Sequence, residues 1–487
     1  MKTLLFFHRL ELTEFYIQLN VELKEKFKII HVAYSNDEEE KLKSSNITVD
    51  VVNFKKEIAN LLDQDSRLDH ELLGKIDKEF IELTTGRFTL NGSIQSDRGF
   101  NNLKYNEALL LSQTYYKFWE KIITRNKIDY VMHEPVSLSM NHICSLLCKK
   151  YDAKYIYQIM SVGSDSELNY LNISGDNYEC EEIGTFYDLY NLKNENIDLN
   201  TCRQFLNKFR SNFEIYCGSN ISSEKSIIFL YLKKYIRNIR RLFISNKKRD
   251  RLIDNIECWL ESRDTIDEKI KNLKLYKKYK VFDEFDELDT GTPYYFYPFH
   301  LEPEAVVLYL ADGLYTNQIQ LIKNIAAQLP VGSYLYVKDH PHENGYRSVF
   351  DYLTLKNIPN VKLLSSNIAG KKIIKNSIGV FTINGTAGFE ALLMGKQVYT
   401  FGKTFYEYCP RVTYIHDIRD VAENVYSQIN RIYETDDDLL PFVGAYLSAL
   451  HFGMVDYFAG RSKKYNINQK ENAKTIANDF SVYSRQY

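Results

Sequence analysis

Along the first third of the chain, short apolar runs alternate with longer stretches whose apolar residues recur every three or four positions. The runs Thr3–Phe7, Ile29–Ala33, Val49–Val52, Tyr130–Met132 and Tyr155–Tyr157 predict strands. Tyr105–Arg125 and Ser137–Lys150, lying between them, predict helices. Alternation of this kind predicts an α/β fold built on a parallel, doubly wound sheet. Residues 57–100 interrupt it and predict a helical insertion. The alternation resumes with strands over Tyr294–Tyr297, Tyr334–Lys338, Val361–Leu364, Gly379–Ile383 and Gln397–Thr400. Helices are predicted near Thr316–Gln328, Tyr346–Leu355, Lys371–Asn376 and Ala387–Met394, and from Asp417 onward the pattern is mostly helical.

Between the two alternating regions, over 187–287, the strand pattern fades. No proline occurs between Pro135 and Pro293, so nothing there must break a helix. The expected organisation is a Rossmann-like half over 1–185, a helical and partly basic linker over 186–290, a second Rossmann-like half over 291–450, and a helical tail over 451–487. Two such halves predict an enzyme whose cleft closes around a ligand.

Composition narrows the partners. The chain has 487 residues, too many for one ordinary domain, and 44% of them are hydrophobic, enough for sizeable cores. A net charge of −2 argues against general nucleic-acid binding. The seven cysteines are scattered without a CxxC, as for reduced thiols in a cytoplasmic protein; Cys144 and Cys148 share one helix face. The N-terminal run LLFF meets His8, Arg9 and Glu11 too soon for a signal peptide, and no run of about 18 apolar residues follows. Lys233–Arg251 carries nine Lys/Arg and one Asp among apolar residues. It reads either as a solvated helix or as a patch docking on the anionic inner membrane face. No metal is expected: His and Cys do not cluster at ligand spacing, and the Asp-x-Asp of Asp63-Gln64-Asp65 lies in the insertion rather than at a strand end.

In open parallel sheets, ligands bind beyond the carboxyl ends of strands. Three loops of the second half stand there. In PFHLEPEA, His300, Glu302 and Glu304 lie within five residues, a combination suited to hydroxyl binding or acid–base work. In YVKDHP, Lys338 and His340 share strand parity and Pro341 stops further pairing; His342 and Glu343 crowd the same loop. Such a pair suits a phosphate or carboxylate. In TINGTAGFE, Asn384 and Gly385 let the backbone approach a ligand, Thr386 is expected to cap the following helix, and Glu390 lies just beyond its first turn. Free amides there would cradle a phosphate. The loop has neither GKS/GKT nor GxGxxG, so ATPase and dinucleotide chemistry are disfavoured. In the amino half, DYVMHEPVS places His133, Glu134 and Pro135 at a strand end, making Glu134 the best candidate for a catalytic carboxylate. Asp165 and Glu167 are weaker rivals.

The series YPFHLEPEA, NQIQLIKNIAAQLPVGSYLYVKDHP and NGTAGFEALLMGKQVYTFGKTFY, over Tyr294–Tyr408, resembles the carboxyl half of bacterial capsule and surface-polysaccharide glycosyltransferases. These include the capsular β-Kdo transferases and, more distantly, sialyltransferase-like enzymes with a His-Pro motif. Gln397 departs from the proline expected before the Val-Tyr-Thr-Phe-Gly strand. The resemblance implies a GT-B fold, with the donor nucleotide on the carboxyl domain and the acceptor mainly on the amino domain. His340 and Pro341 match the motif that contacts the nucleotide's phosphate. Gly385 and Thr386 match the small-residue loop at the same phosphate, Glu390 a ribose or anchoring contact, and His300, Glu302 and Glu304 the cleft near the donor.

The expected function is therefore transfer of Kdo or another CMP-activated acidic sugar to a saccharide or lipid-linked glycan acceptor, without a further cofactor. A CDP-polyol transferase of the teichoic-acid type and a non-catalytic polysaccharide-binding or assembly protein are the alternatives.

Overall fold

The computed structural model describes residues 1–100, 103–161, 168–192, 197–211, 271–276, 278–279, 286–302, 304–340, 347–429, 431, 433, 435–455 and 466–486. The basic segment Lys233–Arg251 and the pair Asp165 and Glu167 lie outside them. Two compact units are present: Met1–Lys193 with Ala445–Tyr487, and Asn194–Gly444. Each is Rossmann-like, as GT-B implies.

The first unit holds β1 (Thr3–His8), β2 (Lys28–Ala33), β3 (Val51–Asn53), β4 (Tyr130–Met132), β5 (Lys154–Met160) and β6 (Asn169–Ser174). The second holds β7 (Tyr294–Pro298), β8 (Tyr334–Lys338), β9 (Val361–Leu364), β10 (Gly379–Thr382), β11 (Gln397–Thr400) and β12 (Val412–Tyr414); β13 (His451–Phe452) returns to the first. All six residues of β1 are buried, because helices cover both faces of a central parallel strand.

The strand order of the first sheet is β13-β6-β5-β4-β1-β2-β3. From β1 the chain runs outward through β2 and β3, then crosses back to β4 and β5 on the other side. The first five strands are parallel; β6 and β13 join antiparallel. The second sheet repeats this plan, in the order β12-β11-β10-β7-β8-β9, with every pairing parallel. The order therefore reverses between β1 and β4 in one unit, and between β7 and β10 in the other. A crevice at the carboxyl ends of such a strand pair is where doubly wound sheets bind ligands.

Residues 57–100 carry the helices Phe54–Gln64, His70–Leu83 and Leu90–Ser96 with short connections between them. Asp63 lies on the first of these, and Asp65 just past its end pairs with Arg67 at 3.4 Å. Cys144 and Cys148 are both buried. Among the described residues, no helix is long and apolar enough to cross a membrane.

The last helix, Gln469–Gln486, read from the sequence as a separate tail, is part of the first unit's core. Its Ala473, Ile476, Ala477, Phe480 and Tyr483 pack with Leu4, Phe6, Tyr16 and Leu19. A polar clamp holds it as well. His451 on β13 lies 2.9 Å from Glu182 and 3.8 Å from Asp479 of that helix. Burial pulls the His451 pKa down, but the two carboxylates outweigh it and raise it above the ordinary value. Stability from this clamp is thus fully present below the unfolded pKa of about 6.5 and lost as pH rises through the higher folded value. We expect His451→Asn to cost about 1–3 kcal/mol at pH 6, and the gap from wild type to narrow by pH 9. Thermal unfolding across that range measures it, and a gap independent of pH would remove the clamp from the account.

Candidate functional site

The β7–β10 switch point of the second unit is built from the outside inward. Asn317 caps the helix Gln318–Ala326 by accepting from the Gln320 amide at 3.0 Å, and Leu321, Ile322 and Ile325 bury its inner face. This sets the buried Gln318 beneath the loop after β7. Its Oε1 accepts from the His300 amide at 2.9 Å and from the Tyr297 hydroxyl at 3.0 Å, and its Nε2 donates to the His300 carbonyl at 3.1 Å. Gripped on both backbone faces, His300 points its ring across to β10.

There Nε2 of His300 accepts from the Ile383 amide at 3.0 Å and lies 3.1 Å from the Thr382 hydroxyl. That hydroxyl accepts from the Gly385 amide at 3.1 Å, while Tyr406 donates to the Gly385 carbonyl at 2.7 Å. A Cβ on Gly385 would stand 2.5 Å from Cε1 of His300, so no side chain fits. Asn384 beside it is fully buried, and neither end of its amide has a hydrogen-bond partner among the described residues. Buried amides are nearly always satisfied, so this one retains the capacity to bond a further group.

The helix Thr386–Leu393 begins here, with Gly385 at the cap position and Thr386 its first, exposed residue. The expectation that Thr386 caps the helix is corrected. The chain is already pinned at Gly385 by Thr382, Tyr406 and the His300 ring, which places the helix start one residue earlier. The Gly388 amide donates back to the Gly385 carbonyl at 3.1 Å, and the amides before it lie at the helix's positive end.

Lys338 ends β8, and its carbonyl accepts from the Phe299 amide at 2.9 Å. His340 lies two residues further on, its amide donating to Asp339 at 2.8 Å, and its ring bears on His300 electrostatically. Pro341, His342 and Glu343 fall outside the described residues. Glu390, half-buried on the helix after Gly385, has its carboxyl pushed up by burial against the opposing pull of Lys371 and Lys338.

Glu302 is tied into a polar network. Gln318 donates to one of its oxygens, and Arg347 pairs with the other at 3.2 Å. The same guanidinium bonds Asp339 at 3.0 Å and lies 3.8 Å from the centre of the Phe299 ring. Burial raises the Glu302 pKa, with Arg347 opposing. Glu302 thus fastens the loop after β7 to the loop after β8. Glu304 sits at the cap of the short helix Ala305–Leu308, its carbonyl accepting from the Val307 amide at 3.1 Å.

The β1–β4 switch point of the first unit carries the other candidate. Glu134 pairs with Arg9, accepts from Asn141 at 3.2 Å, and lies 3.8 Å from Nε2 of His133. Burial pushes its carboxyl up, but Arg9, His133 and Asn141 together hold it below the usual value, so it is ionised at neutral pH. Nδ1 of His133 donates to the Phe7 carbonyl at 2.8 Å, and burial brings that ring down to about 4. Behind it, His8 and His31 share a 2.9 Å hydrogen bond, both held neutral by burial.

Protein FixF of Sinorhizobium fredii (strain NBRC 101917 / NGR234) is 39% identical over 90 residues, which are 18% of this chain and 21% of that protein. The chain thus matches about a fifth of that relative's length. Similar solved structures include a KpsC β-Kdo 2,7 transferase from Thermosulfurimonas dismutans, at 12% identity and TM-score 0.31, covering 74% of this chain and 88% of that one. Another is S. aureus MnaA in a co-structure with UDP, at 11% identity and TM-score 0.25, covering 91% of each chain. Residues 261–422 match the family model described as capsule polysaccharide biosynthesis protein. That match encloses all three strand-end loops of the second unit, and it bears out the resemblance to capsule polysaccharide biosynthesis proteins read from Tyr294–Tyr408.

Proposed function

We propose that the chain is a nucleotide-sugar-dependent glycosyltransferase of bacterial capsule or related surface-polysaccharide synthesis. The nucleotide's phosphate sits at the β7–β10 switch point, and Glu134 of the first unit acts as the reaction's carboxylate. One observation carries the reading: Gly385, too crowded for any side chain, opens a helix beside the His300 ring and the unsatisfied Asn384 amide. That combination offers N–H donors and no carboxylate, which suits a departing phosphate whose charge grows in the transition state. The family model over 261–422 supports the polysaccharide context. We assign the donor as CMP-linked, Kdo or another acidic sugar, on the sequence resemblance to capsular β-Kdo transferases. The acceptor is a saccharide or lipid-linked glycan, and the anionic membrane face is the proposed partner of Lys233–Arg251.

Thermal unfolding with CMP, UMP, UDP, GDP and dTDP tests the nucleotide. At a hundredfold excess over Kd the true base adds about 2.7 kcal/mol, a shift of several degrees. CMP release from CMP-Kdo, with CDP-glycerol as the competing substrate, tests the reaction. Glu134→Gln is expected to lower turnover by a factor of about 10²–10⁴ while leaving the CMP shift intact. Stabilisation by none of the five nucleotides, or wild-type turnover in Glu134→Gln, would overturn the reading.

A further inference from the structure

We propose that His300 is a neutral hydrogen-bond donor of fixed tautomer, presenting Nδ1–H to an anionic oxygen of the substrate, and not the acid–base residue its place beside two glutamates suggests. The inference rests on the reading of the β7–β10 switch point as the donor site, and deepens it.

The tautomer follows from the partners. Nε2 lies 3.0 Å from the Ile383 amide nitrogen. A backbone amide only donates, so Nε2 must accept, and the single proton of the neutral ring is on Nδ1. The Thr382 hydroxyl, 3.1 Å away, faces the same nitrogen and is itself the acceptor for the Gly385 amide, leaving its own proton for Nε2. A second ring proton would set Nε2–H against the Ile383 N–H in a buried place. Accordingly burial, helped by His340, brings the ring down to about 3. His340 is the titratable group bearing on it. The Gln318 amide, neutral itself, pins the His300 backbone on both faces, so the ring has no ready alternative pose.

Nδ1 has no hydrogen-bond partner among the described residues. It lies 3.0 Å from the point where a Cβ on Gly385 would stand, and therefore faces the start of the helix Thr386–Leu393. The donor thus lies beside the first turn of that helix. Hydrogen bonds from neutral donors to charged acceptors are strong, and a preset one needs no reorganisation as charge develops. The chemistry recognised is an anionic oxygen, from either the nucleotide's phosphate or the carboxylate of an acidic sugar.

The test is long-range ¹H–¹⁵N spectroscopy of the full chain labelled at histidine, with His300→Ala used to assign the His300 signals. Between pH 6 and 8 the ring should be neutral with its proton on Nδ1. That proton should move on saturation with CMP if the oxygen is the phosphate's, or with free Kdo if it is the carboxylate's. Binding calorimetry adds a second readout: His300→Ala should weaken the effective ligand about tenfold to a hundredfold. His300→Asn, whose amide reaches the Nδ1 position, should recover part of the loss. A proton on Nε2, or a charged ring at pH 6, overturns the inference while leaving the nucleotide site standing. Failure of CMP to bind the wild-type chain overturns the site itself, and with it this ligand for His300. Binding of both probes with no response at Nδ1 overturns the inference alone.

Discussion

Gly385→Ala should weaken nucleotide binding strongly and lower the stability of the second unit. The added methyl would stand 2.5 Å from Cε1 of His300. The ring cannot swing away without breaking its bonds to Ile383 and Thr382 or lifting its backbone off Gln318. Overpacking of this kind costs about 1–3 kcal/mol. The displaced group is the proposed phosphate donor, so affinity for CMP should fall at least about tenfold, the cost of losing one charge-assisted hydrogen bond. Gly388→Ala should behave alike, since its Cβ would meet the Tyr406 hydroxyl at 2.5 Å and Cγ2 of Thr382 at 2.7 Å. Gly370→Ala is the control: a Cβ there meets nothing within 4 Å, so it should be neutral or slightly stabilising. Calorimetry and thermal unfolding of the three variants decide the matter. Wild-type CMP affinity in Gly385→Ala would show that no ligand depends on this crowding.

That glycine also shows what the sequence could reveal and what it could not. Its need for close approach was legible from Asn-Gly-Thr at the end of an apolar run. The approaching group was not: His300 is 85 residues earlier and meets Gly385 only because β7 and β10 are neighbours. Five of the second sheet's six strands were legible because buried parallel strands are continuous apolar runs, and β10 differs from its expected span only in ending at Thr382; β12, three half-buried residues, was not. By contrast β6, which reads NYLNIS, carries a buried Asn172 paired near Glu182, and a polar residue in a strand breaks the pattern that would announce it. The last helix has an ordinary amphipathic pattern, which predicts a helix but not the core that receives it. Gln318, Asp339 and Arg347 were missed for the same reason. Each is a polar residue whose value comes from a partner far along the chain, and periodicity assigns such residues to solvent. Arg9, directly after β1, was the most accessible omission, since the switch-point rule that drew attention to Glu134 applies equally to the end of β1.

Arg347→Met is the second substitution expected to have a large effect, and it acts on the scaffold of the same site. The guanidinium is almost wholly buried, with 2% of its side chain exposed, and bonds both Asp339 and Glu302. Methionine can fill much of the space over Phe299 but leaves two carboxylates in a poorly solvated place without their cation. Removing one partner of a buried pair costs about 3–5 kcal/mol, far more than the loss of an exposed pair. The sign with pH follows from which state binds protons more readily. Without Arg347 the Glu302 carboxyl takes up a proton at higher pH in the native chain than in the unfolded one, so native stability recovers as pH falls. Glu302 is already raised by burial with the cation present. The deficit of Arg347→Met against wild type should therefore be largest near pH 8 and shrink toward pH 5. Arg347→Lys keeps the charge but not the fork that reaches both carboxylates, and should fall between the two. Because this pair joins the loops that carry His300 and His340, CMP affinity should drop in Arg347→Met even at temperatures where it remains folded. Denaturant unfolding at the two pH values, with CMP binding measured on the folded variant, separates the effects. A deficit under about 1 kcal/mol at pH 8 would mean that Asp339 and Glu302 find water or a proton without the arginine, and that the two loops keep their places by apolar packing alone.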